Sequence, residues 1–213
     1  MATVNRRIIM ALYSDPGCLE SHRVRLVLAE KGVQVDVHQV SSADVPDDVL
    51  GVNPYGSLPT LIDRDLALYG TNVITDYLDE RFPHPPLMPI DPVSRAKARL
   101  ALYRIETDWY GLLSALVQAT SRTATAQARK RLRESLISSD DLFAVSGYFL
   151  NDEFSMLDCA VIPLLWRLGS YGIELGGRAP SLNAYACRMF RRDSFVSSLS
   201  TIERGWRSTE GGV

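Results

Sequence analysis

Four prolines within residues 83–89 constrain the fold of this chain more than any other feature of its sequence. The stretch reads Phe82-Pro83-His84-Pro85-Pro86-Leu87-Met88-Pro89. Each proline lacks a backbone donor and biases its predecessor toward extended conformations, so neither a regular helix nor a central strand can run through it. The stretch is therefore a stiff connector, and the code on its two sides differs. Its Pro, Leu and Met exceed what a spacer needs, since Ser, Gly or Lys would serve, and a lone histidine sits among them. It either packs between two domains or meets a partner.

Before the connector, strand and helix signals alternate. Arg7 to Tyr13 reads as a buried strand, Ser14-Asp15-Pro16-Gly17 as a turn, and about Cys18 to Lys31 as a helix. Val24, Val27, Leu28 and Lys31 share one helix face, Lys31 lending its stem, and Gly32 supplies the left-handed stop. Val35 to Val40 begins by alternating like a half-buried strand, with His38 off the face of Val35 and Val37 and read as a solvated strand residue. A short helix near Asp44 to Leu50 precedes the turn Asn53-Pro54-Tyr55-Gly56. Pro59 then belongs at the first position of a strand, where it need not donate, and the Leu58-Pro59 bond is expected to be cis. Leu66 to Tyr69 pairs back across Arg64-Asp65 as a hairpin. Thr71 is positioned to cap a helix with Val73, Ile74, Tyr77 and Leu78 on its apolar face. The order is βαβαββα.

After the connector the pattern is helical only. Ala98, Leu102, Ile105, Trp109, Leu112 and Leu116 recur at alternating spacings of four and three, a seam that requires a helical partner. Thr125 to Val145 is a second long helix carrying Arg129, Lys130, Arg131 and Arg133, either a solvated face or a contact to an acidic protein or nucleic acid. Ser155 and Asp158 form an S-x-x-D variant of the capping box ahead of the most apolar helix, which Pro163 should bend. The formal charge of −2 argues against nonspecific affinity for nucleic acid, and no DNA-reading motif is present. Cys18, Cys159 and Cys187, odd in number and widely spaced, suit neither a disulfide framework nor a metal motif and are expected to be thiols. No apolar run is long enough for a signal core or a membrane span, so a cytoplasmic protein is expected.

Two motifs carry a resemblance. Asn53-Pro54-x-Gly56-x-x-Pro59 before the third strand, and the S-x-x-D box before a buried helix, resemble the thioredoxin-like and helical domains of glutathione transferases. The expected fold is thus α/β plus all-α: a thioredoxin-like domain at 1–82, a proline-rich strap at 83–92 and a helical domain at 93–213. Within that superfamily, Tyr77 to Pro89 is similar to the stringent starvation protein A family of RNA polymerase-associated regulators. Ser21-His22-Arg23-Val24-Arg25, Val27 to Gly32, Pro163 to Leu168 and Arg192-Asp193-Ser194-Phe195 carry the same similarity. The resemblance implies a homodimer without appreciable transferase activity, needing no cofactor or metal. It implies binding of RNA polymerase holoenzyme and its primary sigma subunit through Pro83, His84 and Pro85, with no sequence-specific contact to DNA. Asp91 stands where family members often carry Tyr, which alters the edge of that surface.

The rival reading is a glutathione-dependent thiol transferase or reductase built on Cys18. A thiol at the first turn of a helix is placed where backbone amides and the helix dipole lower its pKa. Against this, no helix-initiating Pro follows Cys18, Glu20 puts a negative charge nearby, and Gly70 replaces the Glu or Gln that holds the γ-glutamyl end in glutathione-binding relatives. Thr71 keeps half of that pair. Cys18, Leu58, Pro59, Gly70 and Thr71 are accordingly expected to form a vestigial glutathione site, with the Leu58 backbone facing a small cleft.

Overall fold

The first strand of the molecule, β1 (Ala11–Ser14), alternates half-buried and buried positions, with Leu12 and Ser14 fully enclosed. The structure, a computed structural model, describes residues 10–208. Of the strand expected from Arg7, positions 7–9 lie outside the described residues. β1 pairs in parallel with β2 (Asp36–Gln39) and antiparallel with β3 (Thr60–Asp63), which pairs antiparallel with β4 (Leu66–Tyr69), giving the order β2-β1-β3-β4. β2 is an edge strand with all four residues exposed, not the half-buried strand expected from its alternation, because among the described residues no strand pairs with its far side.

Helix α1 (Leu19–Glu30) connects the parallel pair, and Gly32 follows it at φ +61, the left-handed conformation that glycine adopts without a Cβ penalty. Val24, Leu26, Val27 and Leu28 are buried, and so are His22, Arg23 and Arg25, whose hydrophilic side chains hide them from a pattern search. A one-turn helix α2 (Asp47–Leu50) and the Asn53 turn lead to β3. Helix α3 (Thr71–Arg81) packs on α1. Its inner face is Ile74, Thr75, Leu78 and Asp79; Val73, expected there, is 53% exposed. Thr71 is not the cap: Gly70 takes that position at φ +83 and Thr71 is the first helical residue. The order βαβαββα is found.

In the helical part, α4 (Pro92–Arg104) passes into a π-helical segment, Ile105–Tyr110, and then α5 (Gly111–Val117). The expected seam holds through Leu102, Ile105 and Trp109 and then slips by one residue, so that Leu113 rather than Leu112 is buried before Leu116. A π-turn inserts one residue into the α-helical count, which is the physical cause of the slip. Helix α6 (Arg122–Ser138), capped by Ser121, packs along α5. In α7 (Met156–Arg167) every residue is buried, as the run on several faces predicted. α8 (Pro180–Met189) follows, and Trp109, Phe143, Phe149 and Tyr185 form an aromatic cluster in this core.

The chain divides into two units: residues up to Pro85 with Ser197–Arg204, and Pro86–Val196 with the residues from Gly205 onward. The expected helical domain thus loses Ser197–Arg204, which spans the end of α9 (Asp193–Ser198) and the start of α10 (Thr201–Ser208). The expected strap is itself divided, with Pro83–Pro85 in the first unit and Pro86–Asp91 in the second. The reason for the first transfer is polar: Glu203, fully buried, meets His22 and Arg25 of α1.

Candidate functional site

The strap alternates between display and anchorage. Pro83, His84, Pro85 and Pro86 are exposed, whereas Leu87 and Met88 are buried at 2% and 5%. The anchor in the second unit is made by those two side chains and by the carbonyl of Leu87, which accepts the first backbone N–H of α7, from Met156, at 2.8 Å. That N–H is one of the donors a helix start leaves unsatisfied. In the first unit the anchor is Lys31. Its Nζ donates to Asp79 Oδ1 at 2.6 Å and to the carbonyl oxygen of Pro85 at 2.5 Å, with the Lys31 side chain wholly buried. The His84-Pro85 bond is cis.

The helical pattern marks Lys31 only by its aliphatic stem and does not mark Asp79. The signal was available on α3: Asp79 follows the buried Thr75 by four residues and so faces inward, where a carboxylate requires a cation. At the end of α3, Tyr77 donates to Asp63 at 2.6 Å and Arg81 lies over the Phe82 ring at 5.5 Å, which fixes the residues leading into Pro83. Asp91 is exposed and caps α4, its carboxylate accepting the Ser94 N–H at 2.8 Å with Pro92 as the first helical residue. That backbone donor holds the Asp91 carboxyl below its ordinary range.

The residues of the expected vestigial site come to one end of the sheet. In the register Tyr13, Thr60 and Tyr69 are directly paired neighbours. The turn into Cys18, the Leu58-Pro59 bond and the Gly70-Thr71 step therefore all leave the sheet from the same end. Leu58-Pro59 is cis, as the sequence suggests, and Pro59 is buried. The Asn53 side chain holds this turn by donating to the carbonyl of Ser57 and the hydroxyl of Thr60, each at 2.9 Å.

The lowered thiol pKa that the rival reading requires is not found at Cys18. Burial and the charge of Glu20, whose carboxylate lies 3.1 Å from Sγ, push the thiol up to about 11. The Ser21 N–H in the first turn of the helix favours the thiolate, but less than burial and Glu20 oppose it, while the N–H groups of Gly17 and Cys18 both go to Asp15 Oδ1, at 2.8 Å and 3.2 Å. A thiolate would stand among carboxylates. At Gly70 the absent side chain has a backbone cause, since φ +83 is a region L-residues rarely adopt, so Glu or Gln could not be restored without moving the chain.

The basic residues of α6 serve mainly their own unit. Arg129 donates to the carbonyl of Tyr171 at 2.8 Å, Arg133 to that of Glu174 at 2.6 Å, and Lys130 faces Glu134 one turn on. The second unit also contains a cavity of about 450 Å³ beside the π-helical segment, lined among others by Arg104, Asp108, Trp109 and Leu150, which no sequence motif marks. Among the described residues no helix is long and apolar enough to cross a membrane, and no group of three or more His, Cys, Asp or Glu is placed to hold a metal.

Comparison with known proteins agrees with this geometry. Residues 12–86 match the glutathione S-transferase N-terminal domain and residues 122–186 the glutathione S-transferase C-terminal domain. A stringent starvation protein A homolog of Coxiella burnetii is 46% identical over 207 residues, covering 97% of this chain and 99% of its own. One from Pasteurella multocida is 46% identical over 199 residues, covering 93% of each chain. Among solved structures, glutathione transferase Omega 3C from Trametes versicolor superposes with a TM-score of 0.79 at 25% identity, covering 90% of this chain and 89% of that one.

Proposed function

The chain belongs to the stringent starvation protein A family, within the glutathione transferase-like superfamily, and from that premise we propose that it is an RNA polymerase-associated transcription regulator that binds holoenzyme and the primary sigma subunit through Pro83, His84 and Pro85. The observation that carries this reading is the exposure of those three residues at the end of the first unit, with the carbonyl of Pro85 held from within that unit by the buried Lys31. Rigid proline faces lose little conformational freedom on binding, and His84 adds a directional hydrogen-bonding group. Promoter choice comes through protein contacts, without sequence-specific binding to DNA. The working form is a cytoplasmic homodimer, and Asp91 marks the rim of the contact surface through its effect on the start of α4.

A thiol transferase reading has little to stand on: the Cys18 thiol is protonated at neutral pH and Gly70 offers no side chain to a γ-glutamyl group. The direct test is to pass RNA polymerase with its primary sigma subunit over the immobilised protein. Retention supports the reading, and failure to retain it, with turnover of a disulfide or electrophile by glutathione, replaces the regulator with an enzyme.

A further inference from the structure

Lys31 is a wholly buried ammonium at the C-terminal end of α1, paired with an Asp79 carboxylate that is itself 9% exposed. Taking both ions out of water is costly, and a well-packed apolar pair of the same volume is commonly as stable or more so. Stability is therefore a poor reason for this pair. What an apolar pair could not reproduce is the third contact, Nζ to the carbonyl oxygen of Pro85 at 2.5 Å. Between Pro83 and Pro86 only His84 has a backbone N–H, so ordinary backbone donors can do little to order the segment and its carbonyls are the remaining handles. A charged donor on a carbonyl is among the stronger hydrogen bonds available. Asp79 holds the ammonium in place on a packed helix, so the carbonyl is gripped from a rigid base.

We propose that Lys31 is the positioning residue of the strap: held by Asp79, it grips the carbonyl of Pro85 and thereby fixes how His84 and the flanking proline faces are presented to the partner. Lys31 touches no partner itself. The inference rests on the strap being the polymerase-binding surface, and it adds that the surface is preorganised from beneath by one buried cation. If losing the grip leaves the strap in its binding form about a tenth of the time, the apparent dissociation constant rises by the inverse of that fraction, about tenfold.

The test uses the full chain with Lys31→Met and, because Lys31→Met alone takes away the buried cation beside the Asp79 carboxylate, the double variant Lys31→Met with Asp79→Leu, in which both charges go. Three readouts are taken: thermal melting, affinity for polymerase holoenzyme, and the imidazole resonances of His84 by proton–carbon NMR. The expected result is a double variant that melts like wild type, binds holoenzyme about tenfold more weakly and shows shifted or multiplied His84 signals. A folded double variant with wild-type affinity and unchanged His84 signals overturns the inference. So does a double variant that does not fold, since the pair would then serve stability. His84→Ala separates the two levels of the claim. If it too binds like wild type, the strap is not the partner surface and both fall; if it loses binding while the double variant keeps it, only the role of Lys31 is wrong.

Discussion

Nη2 of Arg25 lies 2.6 Å from Oε2 of Glu203, a contact between residues 178 positions apart in sequence. His22 completes the cluster, with Nδ1 3.3 Å from Oε1 of Glu203 and Nε2 3.1 Å from the Ser198 hydroxyl. Ser200 and Glu203 cap the start of α10 reciprocally, each accepting the other's backbone N–H. Arg25 also donates to the carbonyl of Ser198 at 2.9 Å, and the Ser200 hydroxyl to that of Pro16 at 2.6 Å, so Ser197–Arg204 is tied to the β1–α1 turn.

Removing one member of a buried pair leaves the other charge uncompensated. Glu203→Ala should therefore lower the unfolding free energy by about 3 to 5 kcal/mol. Urea unfolding followed by circular dichroism checks it, and a loss under about 1 kcal/mol would show that solvent reaches the pair.

This cluster also shows where sequence reading stops. The order of strands and helices, the Gly32 stop, the cis bond before Pro59 and the Ser155–Asp158 box were legible because each rests on local chemistry or period. His22, Arg25 and Glu203 were not, since their burial depends on partners far away in the chain, and hydrophilic residues count against a core position. The Ser200–Glu203 box was the one local trace of that helix start. Likewise no residue type at 105–110 announces a π-turn, so the sequence pattern matches burial through Trp109 and departs from it at Leu112.

The Cys18 thiol, pushed up to about 11, should be nearly inert at neutral pH. At pH 8 about one thiol in a thousand is ionised, and alkylation should quicken about tenfold per pH unit up to about pH 11. Timed iodoacetamide labelling with peptide mass analysis reads this directly, with the exposed Cys187 labelled first. Rapid labelling of Cys18 at pH 7 would revive the thiol transferase reading.

Asp158 accepts the N–H groups of Phe149 and Ser155 at 2.9 Å and the Tyr185 hydroxyl at 2.7 Å, all buried. Asp158→Ala strands four donors at once, the Ser155 hydroxyl at 3.1 Å among them. Each abandoned buried donor costs about 1 to 3 kcal/mol, not additively, so a loss of about 3 to 5 kcal/mol is expected. Asp158→Asn should recover part of it by keeping an acceptor. Thermal melting of both variants distinguishes a polar hub from a merely space-filling residue.

Along α4, Val93, Leu100 and Tyr103 are 63%, 60% and 64% exposed at spacings of seven and three, an apolar stripe on one helix face. In the proposed homodimer this stripe meets the second copy, and Leu100→Glu should convert dimer to monomer at micromolar concentration without unfolding it. Analytical ultracentrifugation decides. A wild-type protein that already sediments as a monomer would remove the homodimer from the account.

The central claim is tested most directly by titrating RNA polymerase holoenzyme with wild-type protein and with the triple variant Pro83→Ala, His84→Ala, Pro85→Ala under identical salt. All three side chains are exposed, so the variant should keep the circular dichroism spectrum and sedimentation behaviour of wild type. The account predicts that it then loses measurable binding to holoenzyme. A folded triple variant that binds polymerase as tightly as wild type would contradict it.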